Sequence, residues 1–346
     1  MYEDRFWKKN WDEGVDDLDP NLFETTFVNI IEKAFQDVPD KTALGFLGID
    51  VTFGELSDYA NRFANMLVEN GFKKGDVVGI NLPNIPQYVI SVIGTLRAGC
   101  VVSGVSPLLS AEQIKYQLNN LGSTGKKVAL VTLDAIFAGH LVKIASDIPQ
   151  LKLVVATSVA SFLPKIKQFM GKLLKKIPSG KVTPLPGITV LDYHKDVFVR
   201  YGTKTVSVDL TPDDLGWIQY TGGTTGDPKG AMLTHRNGCH NIMSIAVWLG
   251  WTRNEGVLLS GFPFFHIAGL TVCESAIYMG WTQVLIPNPR DTDHICSELL
   301  KYHPTNMANV PSLYQMLIEN PKFKEMDHTH LGTCISAAAP FPKESQ

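Results

Sequence analysis

Apolar positions in the first third of the chain alternate between short continuous runs and runs with a period near 3.6. Thr52 and Glu55 have capping-box spacing, and the apolar positions from Leu56 to Leu67 then recur at helical intervals until Gly71 and Gly75. Asp76–Leu82 predicts a buried strand, Ile85–Ala98 a helix and Cys100–Val105 a short strand. Ser110 with Gln113 repeats the capping-box spacing and opens a helix to about Leu121, and Val128–Thr132 predicts another strand. Beyond residue 230 the spacing predicts helices over Thr234–Trp248, Leu270–Met279, Thr292–Tyr302 and Ser312–Glu319. Strands are predicted over Val257–Gly261, Gln283–Ile286, Asn306–Val310 and Thr333–Ser336. Such alternation predicts an α/β fold of two side-by-side α/β layered subdomains with mostly parallel sheets. The expected division is a first subdomain at 1–157, an intervening segment at 158–206 and a second subdomain at 207–346.

The intervening segment has its own pattern. Phe162, Leu163, Ile166, Phe169, Met170, Leu173, Leu174 and Ile177 follow i, i+3, i+4, i+7 spacing, with Lys165, Lys167, Lys172, Lys175 and Lys176 between them. This predicts a basic amphipathic helix, which serves equally as a surface helix with a solvated lysine face or as a contact for a membrane surface or partner. Two uncharged stretches, Val77–Leu96 and Gly256–Cys273, are interrupted by Pro83, Asn84 and Pro86 and by Pro263, His266 and glycines. They read as strand–turn–helix rather than as spanning helices.

Composition narrows the function classes. The 346 residues are 45% hydrophobic and 19% charged, enough chain for a sizeable core and more than one domain-sized unit. Lys and Arg number 31 against 34 Asp and Glu, so the net charge of −3 argues against nucleic acid as a partner. The five cysteines are dispersed, without a C-x-x-C pair, which fits a reduced cytoplasmic compartment. The opening MYEDRFWKKNWDEG lacks the apolar core of a signal peptide. His328, His330 and Cys334 are poorly spaced for zinc and read as loop residues.

The chemistry concentrates in Tyr220-Thr221-Gly222-Gly223-Thr224-Thr225-Gly226-Asp227-Pro228-Lys229-Gly230. Glycines free the backbone to converge N–H groups on an anion, threonines add hydroxyl donors, and Lys229 brings a mobile positive charge. Asp227-Pro228 sets a turn that aims the lysine, and the apolar run Leu215–Ile218 places the loop at a strand end. Lys229 is followed by Gly230-Ala231, so the string is not a Walker loop, and no G-x-G-x-x-G turn occurs. A glycine-rich surface loop without a ligand is the competing reading, and the full eleven-residue string weighs against it.

This string resembles Y-T-S-G-T-T-G-x-P-K-G, the signature of the adenylate-forming superfamily of acyl-CoA synthetases, firefly-type luciferases and peptide-synthetase adenylation domains. Gly222 stands where the signature has serine, which removes a hydroxyl and keeps a backbone donor. Thr52–Leu56, Gly75–Ile80 with Asn84, and Ala98–Gly99 with Ser106–Pro107 also resemble the family's amino-terminal half. Pro263-Phe264-Phe265-His266-Ile267-Ala268-Gly269 resembles its P-x-F-H-x-x-G motif, whose histidine lies near the acyl carboxylate. Ser336-Ala337-Ala338-Ala339-Pro340 resembles the G-A-A-P segment that packs on adenine, with Ala337 in place of the common glycine.

The resemblance is greatest to the amino-terminal part of a long-chain fatty acid–CoA ligase, and it implies ATP, Mg²⁺ and coenzyme A as co-substrates and cofactors, with a fatty acid as substrate. It assigns Thr221, Gly222, Gly223, Thr224, Thr225, Gly226 and Lys229 to phosphate, Thr221 also to Mg²⁺, His266 to the carboxylate, and Ser336 to Pro340 to adenine. The acyl tail would enter an apolar tunnel with candidate walls in Cys239–Trp248 and Phe262–Leu270. Phe162–Ile177 would serve peripheral contact with the cytoplasmic membrane face, as the basic insertion does in some bacterial long-chain ligases. No counterpart of the family's G-Y-G-x-T-E segment, ribose-binding aspartate, hinge or catalytic lysine occurs before Gln346. The expectation is therefore the large part of a longer enzyme, binding acyl substrate and only weakly ATP, and failing alone in CoA transfer. An aryl- or amino-acid adenylation domain, and a non-catalytic acyl- or nucleotide-binding module, remain as alternatives.

Overall fold

Side-chain caps start several of the helices, as the spacing predicts. Thr52 Oγ1 accepts from Glu55 N at 3.2 Å while the Glu55 carboxylate accepts from Thr52 N at 2.9 Å. Ser110 and Gln113 form the same reciprocal pair, and Thr234 with Asn237 adds a third. In the computed structural model, which describes residues 5–13, 15–168, 178–221 and 227–341, the elements run as follows. The first part contains α1 (Phe27–Asp37), β1 (Thr42–Phe46), β2 (Ile49–Thr52), α2 (Phe53–Glu69), β3 (Val77–Asn81), α3 (Pro86–Arg97), β4 (Val101–Gly104) and α4 (Ala111–Leu121). Then come β5 (Val128–Leu133), β6 (Leu151–Thr157), β7 (Thr189–Asp192), β8 (Leu215–Thr221), β9 (Lys229–Thr234) and α5 (His235–Trp248). The last part holds β10 (Val257–Ser260), α6 (Ile267–Tyr278), β11 (Thr282–Leu285), α7 (Thr292–Tyr302), β12 (Asn306–Asn309), α8 (Pro311–Glu319) and β13 (Thr333–Ser336).

Two sheets result. One has the order β7-β6-β5-β3-β4-β8-β9, parallel except for the antiparallel edge β9; the other has β13-β12-β10-β11-β1-β2, parallel except for the antiparallel edge β2. The α/β architecture with mostly parallel sheets is therefore as expected. Sheet membership, however, cuts across the segments 1–157, 158–206 and 207–346. β1 and β2 join the later strands, β8 and β9 join the earlier sheet, and β7 extends that sheet from within the middle segment. Periodicity specifies that a strand forms, whereas its sheet is decided by long-range pairing such as Leu44 with Gln283.

The uncharged stretches are strand–turn–helix units, β3 to α3 and β10 to α6. Every residue of α3 is buried, which accounts for its lack of a polar face. One apolar core draws on both sheets, with Phe46 and Leu285 from one and Val78, Ile80 and Val131 from the other. Among the described residues no helix is long and apolar enough to cross a membrane.

The expected amphipathic helix over 162–177 falls partly outside the described residues, from Phe169 to Ile177. In the described part, helix begins at residue 165. Phe162 packs among Tyr59, His194 and Phe198, and Leu163 is buried. Ile166, assigned to the apolar face, is 75% exposed.

Candidate active site

The hairpin β8–β9 carries the glycine-rich string. Its antiparallel register sets Thr221 opposite Lys229 and Tyr220 opposite Gly230. Directly opposed residues share a face about 5 Å apart, so the Thr221 and Lys229 side chains leave the sheet on the same side. Thr221 Oγ1 donates to the Lys229 carbonyl at 3.5 Å. Lys229 therefore belongs to a strand, where the sequence reading placed it in the loop. Gly230 is required by space, because a Cβ there would lie 2.7 Å from the Ile218 side chain. Gly222, Gly223, Thr224, Thr225 and Gly226 lie outside the described residues.

The turn before α6 faces the hairpin. Gly104, at the carboxyl end of β4, touches it so closely that a Cβ would stand 2.4 Å from the Phe265 carbonyl oxygen. Asn84 clasps the turn with both ends of its amide: Nδ2 donates to the Phe262 carbonyl at 2.8 Å and Oδ1 accepts from Phe264 N at 2.9 Å. Tyr88 Oη donates to the Phe264 carbonyl at 2.8 Å. His266, next in line, is exposed and caps α6. Its Nδ1 accepts from Ala268 N at 3.3 Å, so in that tautomer Nε2 carries the proton and is a donor. The positive end of the α6 dipole lies at the same place.

Between these parts is a cavity of about 510 Å³. Its lining includes Thr221, Asp227 and Pro228 from the hairpin, Phe265 and His266 from the turn, Gly104 and Ser106 after β4, and Glu112, Gln113, Tyr116 and Gln117 from α4. The structure thus brings Thr221 and His266 to one cavity at the carboxyl ends of β4 and β8, where parallel sheets place ligands. Lys229 is not a lining residue but stands beside Thr221 on its face. Ser336 to Pro340 are not in the lining either. Ser336 ends β13, the edge strand of the other sheet, and Ala337 to Pro340 follow it. Ala337 N donates to the Asn309 carbonyl at 3.2 Å, Ala338 to Pro340 are exposed, and the Ser336 hydroxyl is buried without a partner. Ala338 has φ 67°, a left-handed conformation that favours glycine and is uncommon for alanine.

Of the proposed tail walls, Cys239, Ile242, Met243, Ala246, Phe262, Phe264 and Leu270 are buried. Among them sits a carboxyl group that sequence reasoning did not single out. Glu274 of α6 is 4% exposed and its Oε1 accepts from Trp217 Nε1 at 2.9 Å. Burial pushes the acid up to about 8, and the indole bond opposes part of that shift. Trp217 packs edge-on against Phe27 and His235. His235 Nδ1 accepts from Phe27 N at 3.3 Å, and burial lowers this histidine to about 4.

Among the described residues no group of three or more His, Cys, Asp or Glu side chains is arranged to hold a metal ion. His330 instead meets His303, with Nε2 and Nδ1 3.2 Å apart. The cavity's oxygen donors, the Thr221 hydroxyl and the Glu112 and Asp227 carboxylates, are of the hard type that suits Mg²⁺.

The paired α/β sheets, the glycine-rich hairpin at a strand end and the facing histidine turn define the class. The family described as AMP-binding enzyme matches residues 31–346, and the chain belongs to that family. The long-chain-fatty-acid–CoA ligase of Bacillus subtilis (strain 168) is 33% identical over 335 residues, covering 92% of this chain and 56% of that protein. The enzyme of the same name from Escherichia coli O6:H1 is 31% identical over 334 residues, covering 94% and 57%. The chain thus spans little more than half the length of these curated relatives. Among solved structures, the anthranilate CoA ligase AuaEII in complex with anthranoyl-AMP matches with a TM-score of 0.77 and 20% identity, covering 94% of this chain and 57% of that one. At that identity the likeness is one of fold.

Proposed function

We propose that this chain provides the adenylation site of an ATP-dependent fatty acid–CoA ligase. The observation that carries the reading is the shared cavity of Thr221 and His266, with Lys229 in cross-strand register beside Thr221. The hairpin holds the ATP phosphates through backbone N–H groups, hydroxyls and the Lys229 ammonium group. His266 offers an Nε2 proton to the acyl carboxylate. The carboxylate oxygen attacks the α-phosphorus, a P–O bond forms, and the bond to pyrophosphate breaks. No side-chain nucleophile takes part; the residues orient the reactants and balance charge. Mg²⁺, when bound with ATP through Thr221 and a cavity carboxylate, supplies further neutralisation at the phosphate oxygens. Coenzyme A serves as acceptor of the acyl group in the whole protein.

A fatty acid is favoured over an aryl or amino acid by the curated relatives named above and by the apolar environment of α5 and α6. Ser336 to Pro340 are proposed as the adenine side of the site, and the segment 162–177 as a peripheral membrane contact, made through exposed residues such as Ile166 and not through Phe162 and Leu163, which pack within the fold. Pyrophosphate exchange into ATP, measured on the whole protein with a panel of acids, tests the reading. Exchange dependent on a fatty acid and reduced at least about a hundredfold by Lys229→Ala is expected. Exchange dependent on an aryl or amino acid instead overturns the substrate class, and no exchange with any acid leaves a binding module.

A further inference from the structure

The helix α4 touches the phosphate hairpin in a way that the reaction as described leaves unused. Tyr116 and Asn120 are four residues apart and so lie on one face of α4. Tyr116 Oη donates to the Pro228 carbonyl at 3.1 Å. In the opposite sense, Tyr220 Oη donates to Asn120 Oδ1, with the Gln117 carbonyl 3.4 Å away. Tyr220 precedes the tip of the hairpin and Pro228 follows it, so each leg is tied to the same helix face. Gln117, between the two, donates Nε2 to the Gly104 carbonyl at 2.9 Å. Gly104 in turn abuts Phe265, the neighbour of His266.

A two-stranded hairpin has little stability of its own, and β9 is the edge of its sheet with only β8 beside it. Phosphate donors must nevertheless be held within about 0.5 Å to act. We propose that α4 is the reference body of the site: Tyr116 and Tyr220 are positioning residues that fix the hairpin's height over the cavity, and Gln117 sets that height relative to β4 and the histidine turn. This rests on the reading that the hairpin takes the ATP phosphates, and it adds which residues aim it.

Four variants of the whole protein test it: Tyr116→Phe with Tyr220→Phe combined, Asn120→Leu, Asn120→Asp and Lys229→Ala. Affinities for MgATP and for palmitate are measured by calorimetry, and melting temperature is followed alongside. The paired tyrosine variant is expected to weaken MgATP binding roughly five- to thirtyfold, the loss of two hydrogen bonds, with palmitate affinity within about twofold of the parent. Asn120→Leu weakens MgATP in the same direction, and Asn120→Asp, which retains an oxygen acceptor for Tyr220, restores it. MgATP affinity unchanged in the tyrosine variant but lost in Lys229→Ala overturns the anchoring role and leaves the nucleotide reading standing. Affinity unchanged in both overturns that reading itself. A parallel loss of palmitate affinity and melting temperature in the tyrosine variant shows a general structural role and also overturns the proposal.

Discussion

Glu274 lies in the core, where its carboxyl accepts from the Trp217 indole, and its protonation makes stability depend on pH. Its acid, raised from 4.5 to about 8, holds a proton in the folded state that the unfolded chain releases. That contribution is complete below about 4.5 and fades as pH rises through 8. His235 works in the other direction. Lowered to about 4 from 6.5, it stabilises the fold above 6.5 and loses that contribution as pH falls towards 4. The two slopes oppose each other between about 4.5 and 6.5, and between 6.5 and 8 only Glu274 changes. Glu274→Gln keeps an oxygen to accept from Trp217 and removes the ionisation. Thermal or denaturant unfolding should therefore show the parent losing about 1–2 kcal/mol relative to the variant from pH 6.5 to 8. Parallel stability curves over that interval would contradict the buried, protonated state.

At the scale of elements, the contact of β4 with the turn before α6 determines whether His266 faces the hairpin. Gly104→Ala drives a Cβ into the Phe265 carbonyl, a backbone atom directly after the Phe262–Phe264 segment that Asn84 and Tyr88 hold. Relief requires the turn to move, at a cost of about 1–3 kcal/mol. The expected outcome is a lower melting temperature together with weaker fatty acid binding, by calorimetry; an unchanged value for both would mean that the close approach has no consequence. The sequence made some of these elements legible and hid others for physical reasons. α2 and α4 were readable because caps and a 3.6 period coincide, and α7 from its period alone. β9 was not, since Lys229 to Thr234 are largely exposed on an edge and carry no apolar alternation. α1, β1, β2 and β6 were passed over, the strands being short or lacking a turn signal. Motifs singled out Thr221 and His266, which the structure brings to one cavity. Tyr116, Gln117 and Asn120 were not singled out, because a hydrogen bond to Pro228 or Tyr220 across a hundred residues or more leaves no trace in local spacing.

At the scale of the molecule, two parallel sheets exchange strands and share one core, so the cavity lies where β4, β8, α4 and α6 converge rather than within a contiguous segment. That arrangement couples the hairpin end of the cavity to its histidine end through packed backbone. The central claim is that the two ends belong to one reaction centre. A crystal structure with a non-hydrolysable fatty acyl-adenylate analogue tests it most directly. The account predicts the phosphate between the hairpin and α4, within hydrogen-bonding reach of Thr221 and Lys229, and the acyl carbonyl directed at His266. An adenylate bound with its phosphate away from the β8–β9 hairpin, or with its acyl carbonyl remote from His266, would contradict it.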